Sequence, residues 1–384
     1  MSSQPTPAHT IDWTNAPPGS ITVSGHCESR YSHKTGKWTD PTFIQSPYLQ
    51  IHGLAPGLNY GQQAFEGMKA FRHANGQIHV FRPTRHAMRM AYSASFISMP
   101  PPPVSHFIRC VNLAVSGNSA YVPPYGTPNA FLYIRPLLFG SSPQIGLVPP
   151  EEYTLCIYVT PTQSYHGSQA LDALVMEDFD RAAPNGTGSV KVGGNYAPVM
   201  RWSDKARSEG YGLTLHLDSR TGTEIDEFST SAFLGIKQEQ DGQTTMVVPD
   251  SKAIIASVTS DSCQVLAEYF GWKVEKRAIK FTELSSFSEV VAAGTAATLV
   301  PVRSIVRRSD QKKFTYIQGS AEAGPVCSQL LRAIQEIQQG DATDVFDWCQ
   351  SVAGQQMVLV ERLKGESKHE ANVATVSVVE VDAF

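Results

Sequence analysis

The sequence predicts a mixed α/β protein of two domains, and three observations carry that prediction. The chain has 384 residues, too many for one small core. Short β-rich apolar runs alternate with helical patterns along most of its length. A stretch over 161–188 holds Pro161, Gly167, Pro184, Gly186 and Gly188 with little periodicity except near Leu171–Met176, which is the composition of a connector. The expected division is a smaller N-terminal α/β domain over 1–160, an interdomain loop over 161–188 and a larger C-terminal domain over 189–384.

The individual elements follow from local chemistry. Residues 1–20 are polar and proline-rich and read as an arm outside the core. Ile78–Phe81 reads as a strand. Pro83 then suits the first position of a helix running to about Phe96, because a proline there lacks only an N–H that the helix does not use. Pro100 to Pro103 stop regular structure. Ala130–Leu138 and Tyr153–Val159 read as strands. Beyond the connector, Ala197–Glu209 reads as a helix, and Leu213–Leu217 and Ala232–Lys237 as strands. Asp261–Phe270 is expected to be a helix capped by Ser260 and ended by Gly271. Pro325–Gln339 carries one apolar stripe, Val326, Leu330, Leu331, Ile334 and Ile337, and stops at Gly340. Such a stripe is the face of a helix packed on a core.

Composition narrows the function. The net charge is −4 and no Lys/Arg cluster stands out, which argues against nucleic acid. The six cysteines lie too far apart for a metal knuckle or a Cys-x-x-Cys pair, and their low density favours reduced, buried thiols. No metal site is expected, since the 11 histidines do not cluster at ligand spacing. The N-terminus has no apolar core of a signal peptide and no Arg or Lys before Arg30, and no run approaches eighteen apolar residues. The expected location is the cytoplasm. Phosphate-loop, His-Glu-x-x-His and dinucleotide fingerprints are absent.

The candidate chemistry gathers around Lys191, in Ser189-Val190-Lys191-Val192-Gly193-Gly194-Asn195-Tyr196. Most lysines are solvated surface charges. Here two glycines allow close approach of a bulky ligand, and two valines flank the stem with apolar surface, which favours a neutral nucleophilic amine. Two segments could hold a phosphate: Ser257-Val258-Thr259-Ser260-Asp261 at a helix start, and Gly294-Thr295-Ala296-Ala297 after an apolar strand. Taken singly, ordinary capping and a tight turn explain them. Arg82 could pair with a phosphate, although a surface arginine at a helix start is the simpler explanation. Arg135 lies inside an apolar strand, where full burial would demand an acidic partner or a ligand. Glu224, Asp226 and Glu227 form an acidic segment from which one carboxylate could hold a ring N–H.

Together these pieces resemble the fold-type-IV pyridoxal-phosphate (PLP) enzymes, and among them the branched-chain amino-acid aminotransferases. The likeness runs in order from about Tyr48 to Gln350. It rests on Gln63-Ala64-Phe65-Glu66-Gly67-Met68-Lys69-Ala70-Phe71, Val80-Phe81-Arg82-Pro83, Leu132-Tyr133-Ile134-Arg135-Pro136, Arg181-Ala182-Ala183-Pro184-Asn185, Lys191-Val192-Gly193-Gly194-Asn195-Tyr196 and Gly294-Thr295-Ala296. The Glu-Phe-Ser-Thr-Ser segment at 227–231 looks like the filamentous-fungal branch, some of whose members serve secondary-metabolite pathways.

The resemblance implies a role for each candidate. Lys191 is implied as the lysine that forms the aldimine with PLP and then moves the Cα proton. Tyr196 is implied at the cofactor's phenolic oxygen, and Glu227, two residues before the small-residue turn Ser229-Thr230-Ser231, at the pyridine nitrogen. Arg82, the backbone of Val258 and Thr259, and Thr295 are implied at the phosphate. Tyr60, Phe65, Tyr133 and Arg135 are implied around the substrate, with the backbone of Thr295 and Ala296 at its carboxylate. The implied reaction is ping-pong transamination of branched-chain or similar apolar L-amino acids, with 2-oxoglutarate as acceptor, in a homodimer.

The chain departs from the family pattern in two places. Ala232 stands where the family usually has asparagine, which opens the donor range. Ala297 and Val300 stand where some mammalian members have a Cys-x-x-Cys pair. Three other readings stay open: a D-amino-acid or (R)-amine transaminase, an aminodeoxychorismate-lyase-like enzyme, and a non-enzymatic PLP carrier.

Overall fold

The computed structural model describes residues 6–8, 11–13, 21–164, 169–239, 242–319, 323–352, 357–360 and 376–379, the last two segments by their backbone alone. Most of the proposed N-terminal arm lies outside the described residues. The chain divides into two compact units, one of Met1–Gln163 with Ile337–Phe384 and one of Ser164–Glu336.

The first unit is built on an 11-stranded sheet. Its central pair is Ala130–Gly140 against Glu152–Gln163, antiparallel from Ala130↔Gln163 to Gly140↔Tyr153. His26–Ser32 flanks this pair on one side, and Met68–Arg72 with Ile78–Phe81 on the other. Tyr153, Leu155, Cys156 and Ile157 have no exposed surface, as expected of a strand covered on both faces. The helices Pro83–Phe96 and Val104–Ser116 contribute Met90 and Phe107, both fully buried. Pro83 opens its helix as expected, after Arg82 in the left-handed region at φ 49°.

The second unit carries a nine-stranded sheet in the order Ile225–Phe228, Leu213–Leu217, Leu171–Val175, Thr298–Arg307, Glu289–Gly294, Ala232–Gln238, Thr244–Pro249 and Lys273–Arg277, with Lys312–Thr315 paired to Thr298–Arg307 beside this path. Its core is aromatic, with Phe228, Phe233, Phe281 and Phe287 among the buried side chains. The helices are Met200–Ser208, entered through a 3-10 turn over Ala197–Val199, Val258–Tyr269 and Pro325–Gln339. The mixed α/β class expected from the sequence is borne out.

Several local expectations are corrected. The strand expected to end at Val159 continues through Pro161 to Gln163. Its neighbour His26–Ser32 pairs only with Glu152 to Ile157, so the later residues have one open edge. A proline is tolerated where its missing N–H faces such an edge. The stretch expected to be interdomain loop contains Leu171–Val175, an inner strand paired in parallel with both Leu213–Leu217 and Thr298–Arg307. Its apolar run is too short to announce itself against the glycines and prolines around it. From Ile337 onward the chain clusters with the first unit rather than the second, and Cys349–Ser351 pairs with Ile78–Phe81. The helix expected at Asp261 begins at Val258, capped by Ser257, whose hydroxyl accepts the N–H of Ser260 at 3.2 Å. All six cysteines are free thiols, five of them buried.

Candidate active site

Lys191 sits between two buried valines, Val190 and Val192, at the end of the irregular segment that follows Leu171–Val175. The alternation puts the two apolar side chains into the core and leaves the lysine stem partly covered. Its Nζ donates to the Tyr196 hydroxyl at 2.9 Å and lies 4.8 Å from the centre of that ring. Gly193–Asn195 form a 3-10 turn that brings Tyr196 back toward the lysine.

Asn195 holds this turn in place. Its amide donates to the carbonyls of Thr187 at 2.7 Å and Val190 at 2.9 Å, and its oxygen accepts the Thr187 hydroxyl at 2.7 Å. One buried side chain therefore ties the segment before Lys191 to the turn after it. In the sequence Asn195 is one letter of the motif around Lys191, with no role of its own.

Glu227 is on the buried strand Ile225–Phe228 and is ion-paired with Arg181, itself buried. Burial pushes the Glu227 carboxyl up to about 7, against the pull of Arg181, the Ile255 N–H and Lys191, while Asp226 adds to the rise. Arg181 also donates to the carbonyls of Gly188 at 3.0 Å and Ala253 at 2.9 Å. These two segments are in close contact: a β-carbon on Gly188 would lie 2.3 Å from the Ala253 oxygen, so only glycine fits. Behind Glu227, Ser229 bonds His216 at 2.7 Å and also meets Thr214. Burial, with Arg181 nearby, pushes the His216 imidazole down to about 3, so the ring is neutral.

Val258 and Thr259 are the first two residues of the helix Val258–Tyr269, and both are buried. A helix start presents its first N–H groups outward and is suited to an anion. Thr295 and Ala296 lie in the turn joining Glu289–Gly294 to Thr298–Arg307, with Thr298 at φ 65°. A β-carbon on Gly294 would stand 3.0 Å from the Ser231 hydroxyl, so this turn lies beside the small-residue segment after Glu227. Lys191, Tyr196, Glu227, Val258, Thr259, Thr295 and Ala296 all lie in the second unit.

Arg82, Tyr60, Phe65, Tyr133 and Arg135 lie in the first unit. Arg82 is buried, which corrects the surface explanation. Its N–H donates to the Trp348 carbonyl at 2.6 Å, and its guanidinium lies 4.7 Å from the centre of the Trp348 ring. Phe65, Tyr133 and Arg135 form one cluster. Arg135 donates to the Glu66 carbonyl at 2.9 Å and the Tyr133 hydroxyl at 3.0 Å, and its guanidinium lies 5.1 Å from the Phe65 ring centre. Arg135 is exposed, so it does not need the acidic partner that burial would demand. Gly67 leaves room for the Tyr133 ring, since a β-carbon would lie 2.1 Å from its hydroxyl. Tyr60 is 49% exposed and donates to the Ile145 carbonyl.

Comparisons with known proteins give the family. The family model for amino-transferase class IV matches residues 63–305. The chain belongs to the class IV aminotransferases. Enzymes of this class use PLP. The chain is 54% identical over 339 residues to aminotransferase poxL of Penicillium oxalicum, covering 88% of this chain and 92% of that one. It is 50% identical to aminotransferase TOXF of Cochliobolus carbonum, covering 86% and 92%. The branched-chain amino acid aminotransferase of Escherichia coli has the same fold, with a TM-score of 0.68 at 24% identity over 86% of this chain and all of that one. So has the branched-chain amino acid aminotransferase of Thermobaculum terrenum in its PLP-bound holo form, with a TM-score of 0.68 at 22% identity over 87% of this chain and all of that one.

The residues of this aminotransferase fit the cofactor. A partly covered lysine amine stands 2.9 Å from a phenol, a buried carboxylate is kept in check by an arginine, and a capped helix start is present in the same unit. These are the donor types needed by an aldehyde, a basic ring nitrogen and a phosphate. Two further groups have no role assigned from sequence. Arg181 stands there only as part of a motif. Glu66 is fully buried and is held by Arg89 at 2.6 Å and His86 at 2.9 Å. Burial alone would raise the Glu66 carboxyl, but Arg89 and His86 outweigh it and hold the group well below the usual carboxylate range.

Proposed function

We propose that this aminotransferase moves the amino group of a branched-chain or similar apolar L-amino acid to 2-oxoglutarate, in two half-reactions on PLP held by Lys191. The observation that carries the reading is the Lys191–Tyr196 contact at 2.9 Å, in the same unit as the buried Glu227–Arg181 pair. When bound, PLP supplies an aldehyde that takes up amines and a ring that accepts an electron pair from the substrate carbon.

The protein's own groups do the rest. Lys191 would hold the cofactor through its amine, and its Nζ, when free, would take up and return a proton. Tyr196 orients that amine through its hydroxyl. Glu227 would face the cofactor's ring nitrogen and, when charged, favour a proton there. Arg82, the N–H groups of Val258 and Thr259, and Thr295 bind the phosphate. Tyr60, Phe65, Tyr133 and Arg135 bind the substrate side chain, with the N–H groups of Thr295 and Ala296 at its carboxylate. The apolar rings of Phe65 and Tyr133 beside the Arg135 charge can accept an apolar side chain and an acidic one in turn.

The substrate class and the homodimer rest on the resemblance to branched-chain aminotransferases, and the proposed cytoplasmic location on the polar N-terminus. Among the described residues, no helix is long and apolar enough to cross a membrane.

The test is a donor panel with 2-oxoglutarate as common acceptor. L-leucine, L-isoleucine and L-valine should each yield glutamate and their 2-oxo acids. Activity confined to D-amino acids, to (R)-amines or to lyase substrates would overturn the proposed substrate class. Transamination that survives Lys191→Ala would overturn the mechanism.

A further inference from the structure

We propose that Arg181 is the positioning residue of the ring-nitrogen carboxylate: it keeps Glu227 charged and in place, and ties it to the backbone at Gly188 and Ala253. This rests on the reading above, in which Glu227 faces the ring nitrogen.

The geometry is convergent. One buried guanidinium is ion-paired with Glu227 and reaches the carbonyls of Gly188, three residues before Lys191, and Ala253, five residues before the helix start at Val258. The side chains of Arg181 and Glu227 keep 3% and 6% of their exposure. A carboxylate so buried is neutral unless a cation or several donors hold its charge.

The groups facing Glu227 set its charge state. Arg181 is in direct contact, Lys191 adds a positive charge, the Ile255 N–H donates, and Asp226 beside it on the same strand opposes. His216, on the paired strand Leu213–Leu217, is neutral. With Arg181 present the carboxyl already stands at about 7 because of burial. Without Arg181, burial and Asp226 would raise it further, and at neutral pH Glu227 would be a neutral acid unable to hold the ring proton.

The test compares the PLP-loaded wild type with Arg181→Met, Arg181→Lys, Glu227→Gln and the Arg181→Met/Glu227→Gln double variant. It reads kcat against pH, and the PLP dissociation constant against pH by tryptophan fluorescence. Arg181→Met should displace the acid limb of kcat upward by about one pH unit or more. For a one-unit displacement its rate would then fall about fivefold at pH 7 and recover toward pH 9, with PLP affinity weakening over the same interval. Arg181→Lys, which keeps a shorter cation and guards against a methionine variant that does not fold, should give an intermediate displacement. Adding Arg181→Met to Glu227→Gln should leave the pH profile of Glu227→Gln unmoved.

A rate lowered by one factor at every pH, in either arginine variant, would assign Arg181 a purely structural role and overturn the inference. So would a displaced limb that persists in the double variant. Borohydride labelling of each variant separates the two levels. Lys191 labelled with an unmoved limb overturns the role of Arg181 alone. No label on Lys191 in the wild type overturns the cofactor reading and the role of Arg181 with it.

Discussion

The amine of Lys191 and the hydroxyl of Tyr196 are joined by a 2.9 Å hydrogen bond that spans one 3-10 turn. The bond aims a mobile, four-carbon side chain at one point. Tyr196→Phe should keep the fold and the lysine but lose that aim. A hydrogen bond to a charged group contributes about 1.5–3 kcal/mol, so kcat should fall roughly tenfold to a hundredfold. Steady-state kinetics with bound PLP quantified in both proteins check this. An unchanged kcat would remove Tyr196 from the mechanism.

Asn195 carries three side-chain hydrogen bonds to Thr187 and Val190. Asn195→Ala leaves buried polar groups without partners, each costing about 1–3 kcal/mol. Urea unfolding should show a loss of roughly 2 kcal/mol or more. Asn195→Asp restores the acceptor for the Thr187 hydroxyl but not the two donations, and should recover little.

Glu66 makes the corresponding prediction in the first unit. Removing one partner from a buried ion pair costs about 3–5 kcal/mol, so Glu66→Gln should be destabilised by about 3 kcal/mol or more at neutral pH. The sign of the pH dependence follows from a folded carboxyl held below its ordinary value of 4.5. Its contribution is present in full above the unfolded-state pKa and is lost as pH falls below it. The stability gap between wild type and Glu66→Gln should therefore be constant from pH 8 to about 5 and narrow toward pH 3. Parallel urea titrations measure it. A gap that widens in acid would contradict the assignment.

Gly67 and Tyr133 test the substrate cluster. The added methyl of Gly67→Ala falls 2.1 Å from the Tyr133 hydroxyl, so the ring must swing aside and break its 3.0 Å bond with Arg135. KM for the amino donor should rise several-fold while bound PLP is unaffected. Tyr133→Phe in the same chain removes the atom in closest conflict and should recover part of the loss. A KM unchanged in Gly67→Ala would take Tyr133 out of the substrate pocket.

Much of this was legible in the sequence where punctuation was strong. Pro83 and Gly340 mark the ends of helices whose observed bounds, Pro83–Phe96 and Pro325–Gln339, match the expected ones. The strand Ile78–Phe81 was equally plain, because Arg82-Pro83 closes it. Leu171–Val175 was hidden because five residues are too few to show a period and turn-formers surround them. The helix cap slid from Ser260 to Ser257 because several small or polar residues close together could each have served. In the site, the motif residues were visible as types, but their ties were not. That Arg181 meets Glu227, and Asn195 meets Thr187, depends on how the irregular segment around 181–190 folds back on a strand and a turn. Neither spacing nor periodicity encodes that.

The most direct measurement is borohydride reduction of the PLP-loaded wild-type protein, followed by peptide mass mapping. The account predicts a phosphopyridoxyl group on Lys191, absent when the enzyme is first treated with an amino donor. A label on another lysine, or none on the chain, would contradict it.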